Sequence, residues 1–194
     1  MRDSRPQLWV FAGPNGAGKS TLAAKYLRNR LPIVNPDVIA ASFGPGDPQS
    51  SAILEAGKIA LRQRSALHGA RVSFAIETTL SGNSELRLMR DAGSAGYKVN
   101  LAFVGIDSAS VSQWRVTHRV SLGLHFVPSD DILRRYPRSM ENLAIAMRLA
   151  DRSLLVDNTG EGFRLILVRD LGRKPTVANR LPKWAIAAIP EDLR

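Results

Sequence analysis

A short segment near the start of the chain combines glycines with a lysine and hydroxyl residues, between an apolar run and a stretch of helical character. It consists of Gly13, Pro14, Asn15, Gly16, Ala17, Gly18, Lys19, Ser20 and Thr21. Glycines let the backbone turn tightly and approach phosphate oxygens, and amides at a helix start attract anions. Lys19 is placed to reach the β- and γ-phosphates, and the Ser20 hydroxyl to ligate Mg²⁺. The pattern G-x-x-x-x-G-K-[ST] therefore predicts a P-loop that binds ATP with Mg²⁺.

Two acidic residues stand at the ends of predicted strands. Asp37 comes shortly after residues 32–35, and Glu77 comes directly after residues 72–76. Open parallel sheets collect their functional residues beyond the carboxyl ends of the strands, so both carboxylates are expected near the P-loop. A small-molecule kinase needs a carboxylate beside the acceptor hydroxyl, to accept its proton. We predict that Asp37 is this general base and that Glu77 belongs to the same site.

A basic segment separates the fourth predicted strand from the fifth. Its arginines are Arg115, Arg119, Arg134, Arg135 and Arg138. Guanidinium groups bind phosphate oxygens through paired N–H donors. A segment of this kind can act as a lid over the nucleotide. Closure would exclude water, which matters because a kinase that admits water hydrolyses its ATP.

The alternation of apolar and helical segments indicates the fold class. Apolar runs predict strands at residues 8–12, 32–35, 72–76, 97–106, 154–157 and 163–168, with helical segments between most of them. Strands that alternate with helices imply a parallel sheet with right-handed crossovers. We therefore expect an α/β three-layer sandwich of the P-loop NTPase type. Its sheet should be mainly parallel, with five or six strands, and an arginine-rich helical lid should cover the site.

The chain length of 194 residues suits one domain, spanning residues 1–194. Asp47-Pro48 has the types favoured at an N-cap and first helical position, and predicts a helix that runs to about His68. Pro137 is expected to interrupt the helix that begins near Ser129. The proline-containing residues 173–194 are expected to pack as an appendage.

The composition limits the classes of protein that need to be considered. The chain has no cysteine and a formal net charge of +10. It therefore forms no disulfide, and it lacks both a membrane-length apolar run and the apolar core of a signal peptide, so we expect a cytoplasmic protein. The charge could serve nucleic acid, an acidic partner or phosphates. Since no RNA-binding motif or helix–turn–helix pattern stands out, we do not expect nucleic acid as the partner.

An ATPase of the ABC type is the main alternative, in which hydrolysis drives a conformational switch. Its P-loop would read like this one, and Leu80-Ser81-Gly82 matches the start of the LSGGQ signature. The match then fails, because Asn83-Ser84 replaces Gly-Gln. Asp107 is followed by Ser108 rather than by the glutamate that would position water. The interval between Lys19 and Leu80 is also short for the helical insert of that class.

The chain resembles the zeta-toxin-like P-loop kinases, in a subgroup often labelled predicted ABC-type ATPase. The resemblance covers about residues 8–158. Its motifs are the P-loop, Asn35-Pro36-Asp37, Glu77-Thr78-Thr79-Leu80, the run from Arg119 through His125-Phe126-Val127-Pro128 to Arg134–Ser139, and Asp157-Asn158. Zeta toxins are the toxin halves of bacterial toxin–antitoxin pairs and phosphorylate a sugar hydroxyl of UDP-N-acetylglucosamine. The resemblance therefore implies a small-molecule substrate such as a nucleotide sugar, and an acidic antitoxin as partner.

The same resemblance implies roles for individual residues. Asp37 corresponds to the aspartate that accepts the proton of the sugar hydroxyl. Glu77 and Thr79 correspond to the acid and threonine that hold the substrate and help to order the metal site. Arg119 corresponds to an arginine that contacts phosphate in the closed state. His125 stands where these toxins carry a second arginine, so that role falls to His125 or to one of three nearby arginines: Arg134, Arg135 or Arg138.

Overall fold

A seven-stranded sheet forms the centre of the protein, in a computed structural model that describes residues 4–27, 30–43, 49–120 and 127–194. The strand order is β2-β3-β1-β4-β5-β6-β7. The strands are β1 (Gln7–Ala12), β2 (Ile33–Val34), β3 (Phe74–Thr78), β4 (Lys98–Gly105), β5 (Arg152–Asp157), β6 (Arg164–Asp170) and β7 (Thr176–Val177). The first five are mutually parallel, whereas β6 runs antiparallel to β5 and β7 antiparallel to β6.

The predicted α/β fold with a mainly parallel sheet is confirmed, but the strand count of five or six was too low. The additional strand is β7, which pairs its two residues with Leu167 and Val168 of β6. A two-residue strand after Pro175 leaves no periodic pattern in the sequence, because its pairing is decided by the neighbouring strand.

Seven α-helices lie among the described residues, with a short 3-10 helix at Glu191–Leu193. The helices are α1 (Lys19–Leu27), α2 (Pro36–Ala41), α3 (Gln49–Gly69), α4 (Asn83–Ser94), α5 (Ala109–Val120), α6 (Ser129–Leu149) and α7 (Lys183–Ala188). Helix α2 was not predicted, since Pro36 was interpreted only as the end of a strand. The predicted helix start at Asp47-Pro48 lies outside the described residues, and α3 is described from Gln49.

Helix α6 continues through Pro137, which corrects the prediction that this proline interrupts it. Proline removes one backbone hydrogen bond from a helix interior and usually kinks or ends it. Buried side chains on both sides of Pro137 hold the helix in place. Ile132 is 2% exposed, and Leu143 and Met147 are fully buried. Tertiary packing therefore outweighs the local effect of the proline.

The core occupies both faces of the sheet, as a parallel sheet with helices on each side requires. Leu8, Val10 and Phe103 belong to the main cluster on one face, while Trp9 and Phe11 belong to a smaller cluster on the other. Alternate residues of β1 point to opposite faces, so a continuous apolar run is what such a strand needs.

The C-terminal residues contribute to this core instead of forming the expected appendage. Trp184, Ala185, Ile189 and Leu193 are each less than 5% exposed and belong to the main cluster. The expectation rested on the prolines of this segment. Those prolines separate short elements, β7, α7 and the 3-10 helix, each of which packs onto the domain. Within the described residues, no helix combines the length and the apolar character needed to cross a membrane.

Candidate active site

The register of the parallel strands brings several predicted site residues to one edge of the sheet. Val34 pairs with Ile76, and Phe11 pairs with Glu77. The segments that follow these strands are therefore neighbours at the carboxyl edge. They are residues 13–20 after β1 and residues 35–37 after β2, beside Glu77 and Thr78 at the end of β3 and Thr79 directly after it.

The P-loop leaves β1 through a sharp turn at Gly13. This residue has φ +136°, and a side-chain carbon there would overlap the carbonyl oxygen of Val104 in β4. Glycine is needed for both reasons. The loop ends at Lys19, the first residue of α1, whose ammonium group donates to the carbonyl of Pro14 at 3.0 Å. The lysine thus folds back over the loop.

Ser20 and Glu77 are joined directly. The Ser20 hydroxyl donates to Glu77 Oε2 at 2.7 Å, and the Glu77 residue is only 8% exposed. Hydroxyl and carboxylate oxygens are the hard donors that Mg²⁺ prefers in sites shared with phosphates. The pair therefore suits the metal of a P-loop nucleotide, with the P-loop serine on one side and a strand-end acid on the other.

Asp37 lies in the first turn of α2 with its carboxylate exposed. Asn35 caps this helix, because its side-chain oxygen accepts from the Asp37 amide at 2.9 Å, and Pro36 occupies the first helical position. The Asp37 side chain is therefore not used as the cap. It has no hydrogen-bond or ion-pair partner among the described residues, so it remains available to a ligand.

The turn after β3 carries Thr79 and is held in an unusual conformation. Leu80 is fully buried with φ +59°, a region that bulky residues rarely adopt. Asn142 of α6 donates to the Leu80 carbonyl at 2.9 Å, and the Thr78 hydroxyl accepts from the Leu80 amide. The Thr79 hydroxyl shares a hydrogen bond of 2.8 Å with Ser81. Strain of this kind is often found at ligand sites, where the surroundings hold it.

Helix α5 packs directly on the P-loop. The Ser112 hydroxyl, fully buried, donates to the carbonyl of Asn15 at 2.5 Å. One turn later, the Arg115 side chain lies against Gly16 and donates to the Thr159 carbonyl at 3.2 Å. Arg115 therefore spans the P-loop and the segment after β5, which places one arginine of the basic segment beside the loop.

The segment after β5 closes the other side of the P-loop. Asn158 donates to the carbonyl of Ala17 at 2.8 Å, and the ring of Phe163 packs against Gly18. The backbone N–H of Asn158 also donates to the carbonyl of Gly105 at the end of β4, whereas the bond to Ala17 comes from the Asn158 side chain. Residues 157–163, which begin with the last residue of β5, are named the β5–β6 loop.

The remaining predicted arginines differ in their surroundings. Arg134 and Arg135 both pair with Asp131 of the same helix, at 2.6 and 2.8 Å, whereas Arg138 is exposed with no partner among the described residues. Arg119 lies in the last turn of α5, but its side chain is outside the described part of the structure. His125 also lies outside the described residues.

Two side chains fix α6 across the carboxyl edge of the sheet. Asn142 holds the turn after β3, as above, and the Tyr136 hydroxyl donates to the carbonyl of Ile106 at 2.8 Å. Burial, with a smaller contribution from Asp107, raises the pKa of Tyr136 to about 12, so the hydroxyl keeps its proton. Ser112 and Asn142 were not predicted from the sequence, and Tyr136 was included only as a member of the run Arg134–Ser139. Each acts through a backbone carbonyl far away in the sequence, and no local motif marks such a contact.

Comparison with known proteins identifies relatives of the chain. A protein of Haemophilus influenzae, described as uncharacterized, is 32% identical over 139 residues, which is 68% of this chain and 99% of that protein. The chain belongs to the same family as this Haemophilus protein. No protein-family model matches the sequence.

Solved structures share the fold at lower identity. The complex of AvrRxo1-ORF1 with ORF2 has a TM-score of 0.74 at 20% identity and matches 90% of this chain, which spans only 61% of its length. A further structure of that complex was determined with ATP and has a TM-score of 0.64. The PezAT toxin–antitoxin system of Streptococcus pneumoniae has a TM-score of 0.61 at 17% identity, over 81% of this chain and 70% of that one. The chain therefore has the fold of the zeta-toxin-like P-loop kinases, as the resemblance predicted.

Proposed function

We propose that this protein is an ATP-dependent kinase that transfers the γ-phosphoryl group to a hydroxyl of a small molecule. The observation that carries the proposal is the Ser20–Glu77 hydrogen bond at the end of the P-loop, beside the segment that carries Asp37. A phosphoryl-transfer site needs a phosphate cradle, a place for Mg²⁺ and a carboxylate for the acceptor. The residues that could supply these three parts follow or end neighbouring strands at one edge of the sheet, which supports the proposal.

In this proposal the chain binds and orients the triphosphate with its own groups. The P-loop amides and Lys19 would hold the β- and γ-phosphates. Ser20 and Glu77 would hold Mg²⁺, which when bound neutralises charge on these phosphates. Arg115 lies against Gly16 and donates to the Thr159 carbonyl, so it is a further candidate for a phosphate contact.

Asp37 would act on the acceptor. Its carboxylate accepts the hydroxyl proton while the hydroxyl oxygen forms a bond to the γ-phosphorus, the bond to the bridging oxygen breaks, and ADP leaves. A positioned base contributes about 10²- to 10⁴-fold to such a step. Arg119, His125, Arg134, Arg135 and Arg138 remain the candidates for closing over the transferring group.

We infer further that the acceptor is a nucleotide sugar such as UDP-N-acetylglucosamine. This inference is supported by the resemblance to zeta toxins at Asp37, Glu77 and Thr79, while His125 departs from their pattern. A kinase that uses ATP works where ATP is supplied, so we place it in the cytoplasm. The AvrRxo1 and PezAT structures are complexes or systems with a partner protein, which supports an antitoxin partner here. The net charge of +10 favours an acidic one.

The test is incubation of the full chain with Mg²⁺, ATP and a panel of nucleotide sugars, followed by mass spectrometry. The expected product gains one phosphoryl group, and ADP forms in equal amount. Release of inorganic phosphate without a phosphorylated acceptor would instead support the ATPase alternative. If no nucleotide sugar is phosphorylated but another hydroxyl compound is, only the choice of a nucleotide sugar as acceptor would be overturned.

A further inference from the structure

The C-terminal helix α7 reaches the end of β4 through one side chain. Trp184 is 4% exposed, and its indole lies so close to Gly105 that a side-chain carbon at position 105 would overlap the ring. Gly105 is the last residue of β4 and pairs with Asp157 of β5. The tryptophan therefore sits directly beneath the edge of the sheet that carries the candidate active site.

Trp184 makes a hydrogen bond to a buried carboxylate at this edge. Its indole N–H donates to Asp157 Oδ1 at 3.0 Å, and the Asp157 residue is 8% exposed. The same carboxylate accepts from the Thr159 hydroxyl at 2.7 Å and from the Arg164 guanidinium at 3.1 Å. Burial disfavours the charged form, but these three donors and the Thr159 backbone amide, which donates to Oδ1 at 3.3 Å, hold the pKa of Asp157 below its usual value, so the group stays ionised at neutral pH.

Asp157 is the first residue of the β5–β6 loop, and that loop touches the P-loop at several places. Asn158 donates to the Ala17 carbonyl, Phe163 packs against Gly18, and Thr159 accepts from Arg115. A continuous series of contacts thus runs from α7 through Asp157 to the P-loop. Trp184 itself is buried in the core, so an effect of this residue on the P-loop would pass through these contacts.

We propose that Trp184 is a positioning residue of the nucleotide site, acting through Asp157 to hold the β5–β6 loop against the P-loop. The inference rests on the proposed binding of nucleotide at the P-loop. A hydrogen bond to an ionised group is among the stronger ones, and its loss leaves a buried charge short of one donor. The loop would then sample conformations in which Asn158 no longer meets Ala17, and nucleotide affinity would fall.

The decisive variant is Trp184→Phe, which keeps an aromatic residue in the core but removes both the N–H donor and the indole atoms that lie against Gly105. Its matched control is Tyr97→Phe. Tyr97 is also a buried aromatic residue of the main core, and its hydroxyl donates to carbonyls of Leu67, His68 and Val72, well away from the P-loop. Both variants lose a polar group from a buried aromatic residue, and Trp184→Phe also loses part of its ring. Thermal unfolding is therefore compared alongside affinity, so that a general loss of stability is recognised in either variant.

Two measurements are made on the full chain for the wild type and both variants. The first is the affinity for fluorescently labelled ATP with Mg²⁺, for which Trp184→Phe is expected to bind about tenfold more weakly and Tyr97→Phe within about twofold. The second is amide hydrogen exchange without nucleotide, which is expected to speed up in residues 157–163 only in Trp184→Phe. Thermal unfolding of both variants shows whether their loss of stability is comparable.

The outcomes separate this inference from the proposed function. Equal affinity and unchanged exchange of residues 157–163 in Trp184→Phe would overturn the positioning role. Equal loss of affinity in both variants would also overturn it, since the effect would then follow general stability. If the wild type does not bind labelled ATP, the proposed function fails, while the exchange measurement still decides whether Trp184 orders the loop.

Discussion

The hydroxyl of Ser20 and the carboxylate of Glu77 lie 2.7 Å apart, although 57 positions separate them in the sequence. The contact exists because β3 is the direct neighbour of β1, with Phe11 and Glu77 as paired residues. The first turn of α1 therefore faces the end of β3. In the proposed function, an acid at this position would bind the same metal ion as the P-loop serine, and the Glu77 residue is only 8% exposed beside an apolar core.

The first prediction concerns the charge of Glu77. Glu77→Gln keeps a hydrogen-bond acceptor for Ser20 but removes the negative charge. Mutation of a group that supports a metal site typically lowers metal affinity or activity by about 10- to 100-fold. We expect the Mg²⁺ concentration needed for half-maximal nucleotide binding to rise by this factor. A titration of labelled-ATP binding against Mg²⁺ measures it.

The matched control for this variant is Glu141→Gln. Glu141 is exposed on α6 and has no ion-pair partner within the described part of the chain, so the same change of charge should leave the Mg²⁺ titration unaltered. An identical titration for Glu77→Gln and the wild type would show that Glu77 does not support the metal. Its hydrogen bond to Ser20 would then be structural.

The second prediction separates binding from transfer at Asp37. Because Asn35 caps α2, Asp37→Asn should leave the helix and the P-loop unchanged. Nucleotide affinity is expected to stay within about twofold, while phosphoryl transfer falls by about 10²- to 10⁴-fold, the usual contribution of a positioned base. Lys19→Ala, by contrast, should lose both binding and turnover. Normal turnover of Asp37→Asn would mean that another group accepts the proton.

The sequence was most informative where function depends on local geometry. The P-loop needs glycines, a lysine and a serine at fixed offsets on one strand–turn–helix unit, and all of them are visible as a motif. The positions of Asp37 and Glu77 near the carboxyl ends of strands were also predictable, since apolar runs stop there, although β3 continues through Glu77 to Thr78. Parallel pairing then brings such ends together without further information.

Contacts between distant segments were not predictable. The role of Asn142 depends on the carbonyl of Leu80, and that of Trp184 on a glycine at position 105. Neither pair has a local signature, and a single sequence gives no pairing information. The same reason applies to α6, where Pro137 favoured a break locally and the packing of Ile132 and Leu143 decided otherwise.

The third prediction concerns acid stability. The guanidinium of Arg152 donates twice to Asp170, at 2.6 and 3.0 Å, and lowers the pKa of that carboxyl from its ordinary value of 3.8. A carboxyl with a lowered folded-state pKa stabilises the fold above its unfolded pKa, and this contribution is lost as the pH falls through the folded value. Asp170→Asn should therefore be less stable than the wild type at pH 7, and the difference should shrink below about pH 4.

Urea unfolding between pH 7 and pH 2.5 measures this difference. Asp91→Asn is the control, because Asp91 is exposed on α4 and has no ion-pair partner within the described ranges. Its free energy of unfolding should follow that of the wild type at every pH. A constant difference between Asp170→Asn and the wild type across the range would show that the ion pair does not titrate with unfolding.

The fourth prediction concerns a buried ion pair that links α3 to α4. Arg64 Nη1 and Glu85 Oε1 lie 3.1 Å apart, and the two side chains are 8% and 11% exposed. The Ser84 hydroxyl also donates to Glu85, whereas Arg64 Nε has no partner within the described part of the structure. Removing one partner of such a pair leaves an uncompensated buried charge. Glu85→Gln should therefore lower the free energy of unfolding by about 3–5 kcal/mol.

The exposed pair on α3 provides a matched comparison. Glu55 and Arg62 also lie 3.0 Å apart, but their side chains are 45% and 70% exposed, so Glu55→Gln should cost less than about 1 kcal/mol. Replacing both buried partners, Arg64→Met with Glu85→Leu, should recover most of the loss, because no unpaired charge remains. Urea unfolding of the three variants measures these differences in the free energy of unfolding. A double variant as unstable as Glu85→Gln would show that the ion pair itself stabilises the packing of α3 against α4. Recovery would show that most of the single-variant loss comes from the charge left behind.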